Sequence, residues 1–192
     1  MFSQLRFLLQ LSRAHGIARR YFVTNGFDGT LTILGLNMGF YSTGGVAQTV
    51  IINADLGAAI ALAVSGFVSA YLSESSERHR ELKELERAVV ADLANTAHGR
   101  AARLVPVLIA LVNGLAPLLL ALLIMVPLWL SQAGMVLPLA PLELSILLAF
   151  LVLFLLGAFL GAVSGRSWLW SGLKMLIIVL LTAGIILLID NP

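Results

Sequence analysis

The chain is expected to fold as an all-α integral membrane protein, and three observations point there. Of its 192 residues, 59% are hydrophobic and only 11% are charged, against about 25% charged in a soluble domain. Five apolar runs, near residues 21–43, 47–73, 103–130, 142–163 and 168–189, are each long enough to cross a hydrocarbon core of about 30 Å, which takes roughly 20 helical residues. The third observation is the placement of charge. With the N-terminus inside, the cytoplasmic segments 1–20, 74–103 and 164–174 hold all 12 Lys and Arg, and the two outer loops hold none. That asymmetry predicts five transmembrane helices, a cytoplasmic N-terminus and a C-terminus outside. The spans should be helices because lipid satisfies no backbone polar group. The length leaves no room for a second sizeable domain.

Residues 1–20 open with "MFSQLRFLLQLSRAHG". Its apolar run is short, broken by Gln10, followed by further arginines, and lacks a small-x-small cleavage site, unlike a signal peptide. A helix over 2–18 lying along the cytoplasmic interface is expected, with disorder as the alternative. Residues 21–73 form the first two spans, joined by "STGGVA". Residues 74–102 read as a charged cytoplasmic helix with a narrow apolar seam of Leu82, Leu85, Val89 and Leu93. Residues 103–189 form the last three spans, joined by "SQAGMVLPLAPLE" and "SGRS". Pro106, Pro117 and Pro127 should bend the third span, since each removes an amide donor. Gly157, Gly161 and Gly165, four residues apart in the fourth, allow another helix to approach closely. Trp168 and Trp170 would anchor the inner interface and Trp129 the outer one.

Polar residues inside spans are the candidates for function. Steps of three and four put Asn25, Asp28, Thr32, Gly35 and Gly39 on one face of the first span. Helix packing accounts for the glycines. A carboxylate inside a span more often lines an ion or proton path, so Asp28 is read as functional. Asn53 and Asp55, near the outer end of the second span, fit an exit vestibule or an interfacial helix start. Asn37 and Asn113 either line a path or hydrogen-bond between helices. Glu77, Glu81 and Glu84 share a face of the charged helix, with His79 nearby. They would gather cations, or form a solvated face with mixed-sign pairs such as Arg80 and Glu84. The chain has no cysteine, which excludes disulfides and thiolate chemistry. Phosphate-loop, metalloprotease and nucleophile-elbow motifs are absent from the sequence, as is a basic–aromatic patch for nucleic acid. Nothing in it points to an enzyme or a prosthetic group.

Three stretches carry a resemblance. "HGIARRYFVTNGFDGTLTILGL", "SGFVSAYLSESSE" and "FLLGAFLGAVSGRSWLWSGLKMLIIVLLTAGIILLI" resemble, in order and spacing, the first, second, and fourth and fifth spans of the vacuolar iron transporter family. The likeness covers most of residues 15–189, in a minimal prokaryotic-type form without the family's large cytoplasmic metal-binding domain. It implies a homodimer in the cell membrane, with a path along the subunit interface through which a cytosolic divalent cation leaves in exchange for protons. The family's path Asp matches Asp28. Its path Met falls at Gly66, a departure that removes a soft ligand and bears on iron selectivity. Glu77, Glu81, Glu84 and Glu86 would be a reduced metal-collecting surface.

The expected function is therefore proton-coupled export of Fe²⁺ or Mn²⁺, the metal being substrate rather than cofactor. Asp28 would be the main ligand, with neutral oxygens from Asn25, Thr32 and Asn37. Two Asp28 carboxylates facing across a dimer axis would bind either a proton or the cation. The alternatives are the same fold carrying another cation, and a non-transporting membrane scaffold whose cytoplasmic seam binds a partner.

Overall fold

A computed structural model describes the backbone of residues 14–190 and the side chains of residues 16–188. The interfacial helix expected over 2–18 lies largely outside the described residues. Within them the chain is helical: α1 Ala14–Thr43, α2 Gln48–Val89, α3 Ala97–Ile124, α4 Val126–Gln132, α5 Pro141–Val163 and α6 Trp168–Asp190. Among the described residues, four segments are long and apolar enough to cross a membrane: Gln48–Val89, Ala97–Ile124, Pro141–Val163 and Trp168–Leu188. The protein is accordingly a multi-pass α-helical membrane protein by the length and composition of its helices. Helix α1, at 30 residues, has the length but not the apolar composition. Asn25, Asp28, Asn37 and five glycines dilute it.

The helices end by a repeated device. At the end of α5, Arg166 N donates to Gly161 O (2.9 Å), with Gly165 left-handed at φ +68°. After α4, Met135 N donates to Leu130 O (3.0 Å), with Gly134 at φ +84°. These are six-to-one closures in which glycine takes the left-handed position without a Cβ penalty. Helix α2 closes the same way, Ala91 N donating to Glu86 O (3.3 Å), but the left-handed residue is Val90, at φ +53°. The charged stretch expected as a separate helix over 74–102 is thus the continuation of α2 to Val89, then a turn, then the start of α3 at Ala97. Asp92 Oδ1 accepts Ala94 N (2.7 Å) and Glu86 Oε1 accepts Leu93 N (3.0 Å), which holds the turn. The third span, expected as one bent helix over 103–130, is interrupted at Met125. Pro127 follows in the first turn of α4, where its missing N–H costs nothing and its ring would otherwise crowd the preceding turn.

The chain forms two compact units. One comprises Met1–Asn25 and Ala63–Ala116, the other Gly26–Leu62 and Pro117–Pro192. In the first, Ala101, Val105 and Ile109 of α3 form a buried row against Ile17 and Tyr21 of α1. Gly114 of α3 brings its backbone onto α2, where an added Cβ would sit 2.6 Å from Ala63 O. In the second, Ile51 and Ile52 of α2 pack on Met125 and Leu128, with Phe40 and Leu142 alongside. Gly29 of α1 lies against Pro117, and a Cβ there would come within 2.4 Å of the proline Cβ. The glycine stripe of α5 does what its spacing implies. Gly157 and Gly161 receive Ser171, Gly172 and Met175 of α6. Gly165 serves the turn instead.

Candidate functional site

In the second unit, α1, α2 and α5 each contribute a buried polar side chain. Asn37, Asp55 and Ser145 are all 0% exposed. Asn37 Nδ2 donates to Ser145 Oγ at 3.4 Å, and Ser145 Oγ donates to Ile124 O at 2.6 Å. The Asn37 side chain also lies beside the Asp55 carboxylate. Yet neither carboxylate oxygen of Asp55 meets a hydrogen-bond donor among the described residues, and Asn37 Oδ1 has none either. Ion pairs join Arg78 to Glu74 and Glu81, and Arg80 to Glu84; none involves Asp55. Three oxygen acceptors are therefore buried with no donor, where a lost hydrogen bond normally costs about 1–3 kcal/mol each.

Asp28 and Thr32 have the opposite setting. Both are exposed on the surface of α1. Thr32 Oγ1 donates to the Asp28 carbonyl at 2.7 Å, which uses its proton within the helix and leaves its oxygen lone pairs outward. On the same helix Thr30 is buried and bonds back to Gly26 O at 2.8 Å. Asp28 thus stands on a polar strip that a single chain leaves uncovered.

A third polar set lies in the first unit. Asn25 Nδ2 donates to Asn113 Oδ1, and Asn113 Nδ2 donates to Gly66 O at 2.6 Å. Ser69 Oγ donates to the same Gly66 carbonyl at 3.2 Å. The site expected to hold a methionine in a metal path is instead the seat of an interhelical bond. A Cβ at Gly66 would approach Asn113 O to 3.2 Å.

The expected site residues therefore separate. Asn37 joins Asp55 and Ser145, Asn25 joins Asn113, and Asp28 with Thr32 faces outward. Glu77, Glu81 and Glu84 are exposed on the extension of α2. Glu81 is 2.7 Å from Arg78, and Glu84 is 3.0 Å from Arg80. Among the described residues no three His, Asp or Glu gather in a group able to hold a metal. A cleft of about 200 Å³ nearby is lined by Arg78, Glu81, Leu82, Leu85 and His98. Sequence reasoning passed over Ser145. Its signal was a lone hydroxyl inside "PLELSILLAFLVLFLL".

The architecture defines a class, a multi-pass helical membrane protein with ionisable groups inside its helices. Over 159 residues the chain is 28% identical to an uncharacterized protein of Methanocaldococcus jannaschii, an alignment spanning 81% of this chain and 80% of that protein. No family model and no solved structure matches the chain.

Proposed function

We propose that the protein is a homodimeric transporter in the cell membrane that moves a first-row divalent cation, Fe²⁺ or Mn²⁺, out of the cytosol in exchange for protons. The observation that carries this reading is the exposure of Asp28 with Thr32 on α1. A carboxylate facing hydrocarbon is costly, and such groups face a protein interior or a water-filled path. A second copy of the chain apposing its own α1 strip would supply that setting. Two carboxylates and threonine oxygens would then converge, an oxygen set suited to Mn²⁺ or Fe²⁺. In this reading α1 is the fifth span, the N-terminus is cytoplasmic and the C-terminus outside. The likeness to vacuolar iron transporters supports the same cargo class. The glutamates of the α2 extension are ancillary in this reading, since the ion pairs of Glu81 with Arg78 and of Glu84 with Arg80 compete with metal.

A flux assay tests the proposal. Protein in liposomes with an internal metal-sensitive dye and an imposed pH gradient should show Mn²⁺ or Fe²⁺ movement coupled to proton counterflow. Absence of flux for every divalent cation in a panel would reject it. One observation favours a second reading, a membrane scaffold: Leu85, Val89 and Val90 are exposed at the end of α2. Selective binding of a partner that is lost on replacing Leu85 and Val89 by Ser, without any cation flux, would select that alternative.

A further inference from the structure

We propose that the groove between α2 and α3 binds an acyl chain of a phospholipid with a net anionic headgroup, whose phosphate is held by Arg100. The site lies wholly within the first unit. It requires that α3 spans the membrane and does not depend on what crosses at Asp28.

The groove has a volume of about 210 Å³ and is lined by Ala63, Val64 and Phe67 of α2 and by Leu111, Gly114 and Leu115 of α3. No polar side chain lines it, so it suits hydrocarbon. Gly114 lets the two backbones meet, with an added Cβ only 2.6 Å from Ala63 O, and the gap lies between the larger side chains around it. Phe67 stacks on Tyr71, with ring centroids 6.4 Å apart, which fixes that wall. The face of α3 leading out of the groove selects the ligand. Steps of four and three put Arg100, Leu104, Val107 and Leu111 in line, and all four are exposed. Arg100 and Leu111 are eleven positions apart, about 17 Å of helix, close to half of a hydrocarbon core of about 30 Å. A chain whose end enters the groove near the bilayer centre therefore has its headgroup at Arg100. Arg103 turns back on its own turn, donating to Gly99 O and Ala94 O. Arg100 makes one bond, Nη1 donating to Asn95 O at 3.3 Å, and no ion pair among the described residues. Its remaining donors suit a phosphate, which accepts strong charge-assisted bonds. Helix α3 has no Asp or Glu to meet the ammonium of a zwitterionic lipid, so a net negative headgroup is favoured, as at other basic sites at headgroup depth.

Native mass spectrometry of the full-length protein in mild detergent, with added dioleoyl phosphatidylglycerol or dioleoyl phosphatidylcholine, tests the site. The wild type should retain phosphatidylglycerol in preference to phosphatidylcholine. Arg100→Gln should weaken phosphatidylglycerol retention at least tenfold, to the level of phosphatidylcholine. Leu111→Trp, which fills the groove from an exposed position, should weaken retention of both lipids. Arg80→Gln, at an exposed arginine paired with Glu84, should bind as wild type. Phosphatidylglycerol should also raise the Tm of the wild type, whereas glycerol 3-phosphate, the headgroup without its chains, should not. Equal retention of the two lipids by the wild type overturns the proposal, as does unchanged phosphatidylglycerol binding in either Arg100→Gln or Leu111→Trp. Stabilisation by glycerol 3-phosphate alone overturns the acyl-chain site. A disulfide-linked dimer of Val64→Cys in native membranes overturns it too, since a second copy would then occupy the groove. The measurement needs no transport, so a silent flux assay rejects the transport reading and leaves this one standing.

Discussion

At the residue scale, the clearest test of the packing is the contrast between glycines. Gly29→Ala should destabilise by about 1–3 kcal/mol, the usual cost of overpacking, because its Cβ would meet Pro117 at 2.4 Å. Gly57, with nothing within 4 Å of an added Cβ, should become more stable as Ala by about 0.5–1 kcal/mol, through backbone entropy. Thermal unfolding in detergent distinguishes the two. Val90→Gly should also stabilise, by about 1–2 kcal/mol, since a left-handed L-residue carries that strain. The side chain is 90% exposed, so almost no packing is lost. An unchanged or lower Tm for Val90→Gly would mean the closure of α2 differs from the one described. This position also explains why the end of α2 was not legible in the sequence. A glycine at residue 90 would have signalled the stop, as Gly165 and Gly134 do for α5 and α4. Valine carries no such signal, so the charged run read through to residue 102.

At the scale of elements, the polar residues fasten helices as well as marking candidate sites. Asn113 ties α3 to the Gly66 carbonyl of α2. Asn113→Leu should cost about 0.5–2 kcal/mol, the range for interhelical hydrogen bonds in membranes. Gly66→Met should lower stability as well, because its Cβ would press to 3.2 Å on the Asn113 backbone oxygen, which α3 holds in place. If Gly66→Met instead folded as wild type and gained iron selectivity, the helix pairing here would be wrong. Apolar periodicity and glycine spacing made the helices and the α5–α6 contact legible, because both depend on local pattern. The pairing of Asn37 with Ser145, 108 residues apart, depends on tertiary packing, and one sequence holds no trace of it. The same holds for the burial of Asp55 against the exposure of Asp28. In sequence both are single carboxylates within apolar runs, and only the neighbours on other helices tell them apart.

At the scale of the whole molecule, the proposed function requires two copies in the membrane, with their α1 strips apposed. The absence of cysteine makes this directly testable by introduced thiols. Asp28→Cys should form a disulfide-linked dimer on mild oxidation in native membranes, while Leu181→Cys, on an exposed apolar face of α6, should stay monomeric. An impermeant thiol reagent should label Ser76→Cys only from the cytoplasmic face and Ala133→Cys only from the outer face. Labelling of both from the same face would contradict the topology. The proposed crossing of a cation at Asp28 is tested by one comparison: the flux of Mn²⁺ and Fe²⁺ into dye-loaded liposomes carrying wild type or Asp28→Asn, at matched protein density and pH gradient. Flux is expected in the wild type and should fall at least tenfold in Asp28→Asn, about 1.4 kcal/mol or more of interaction with the ion. Equal flux in the two proteins would contradict it.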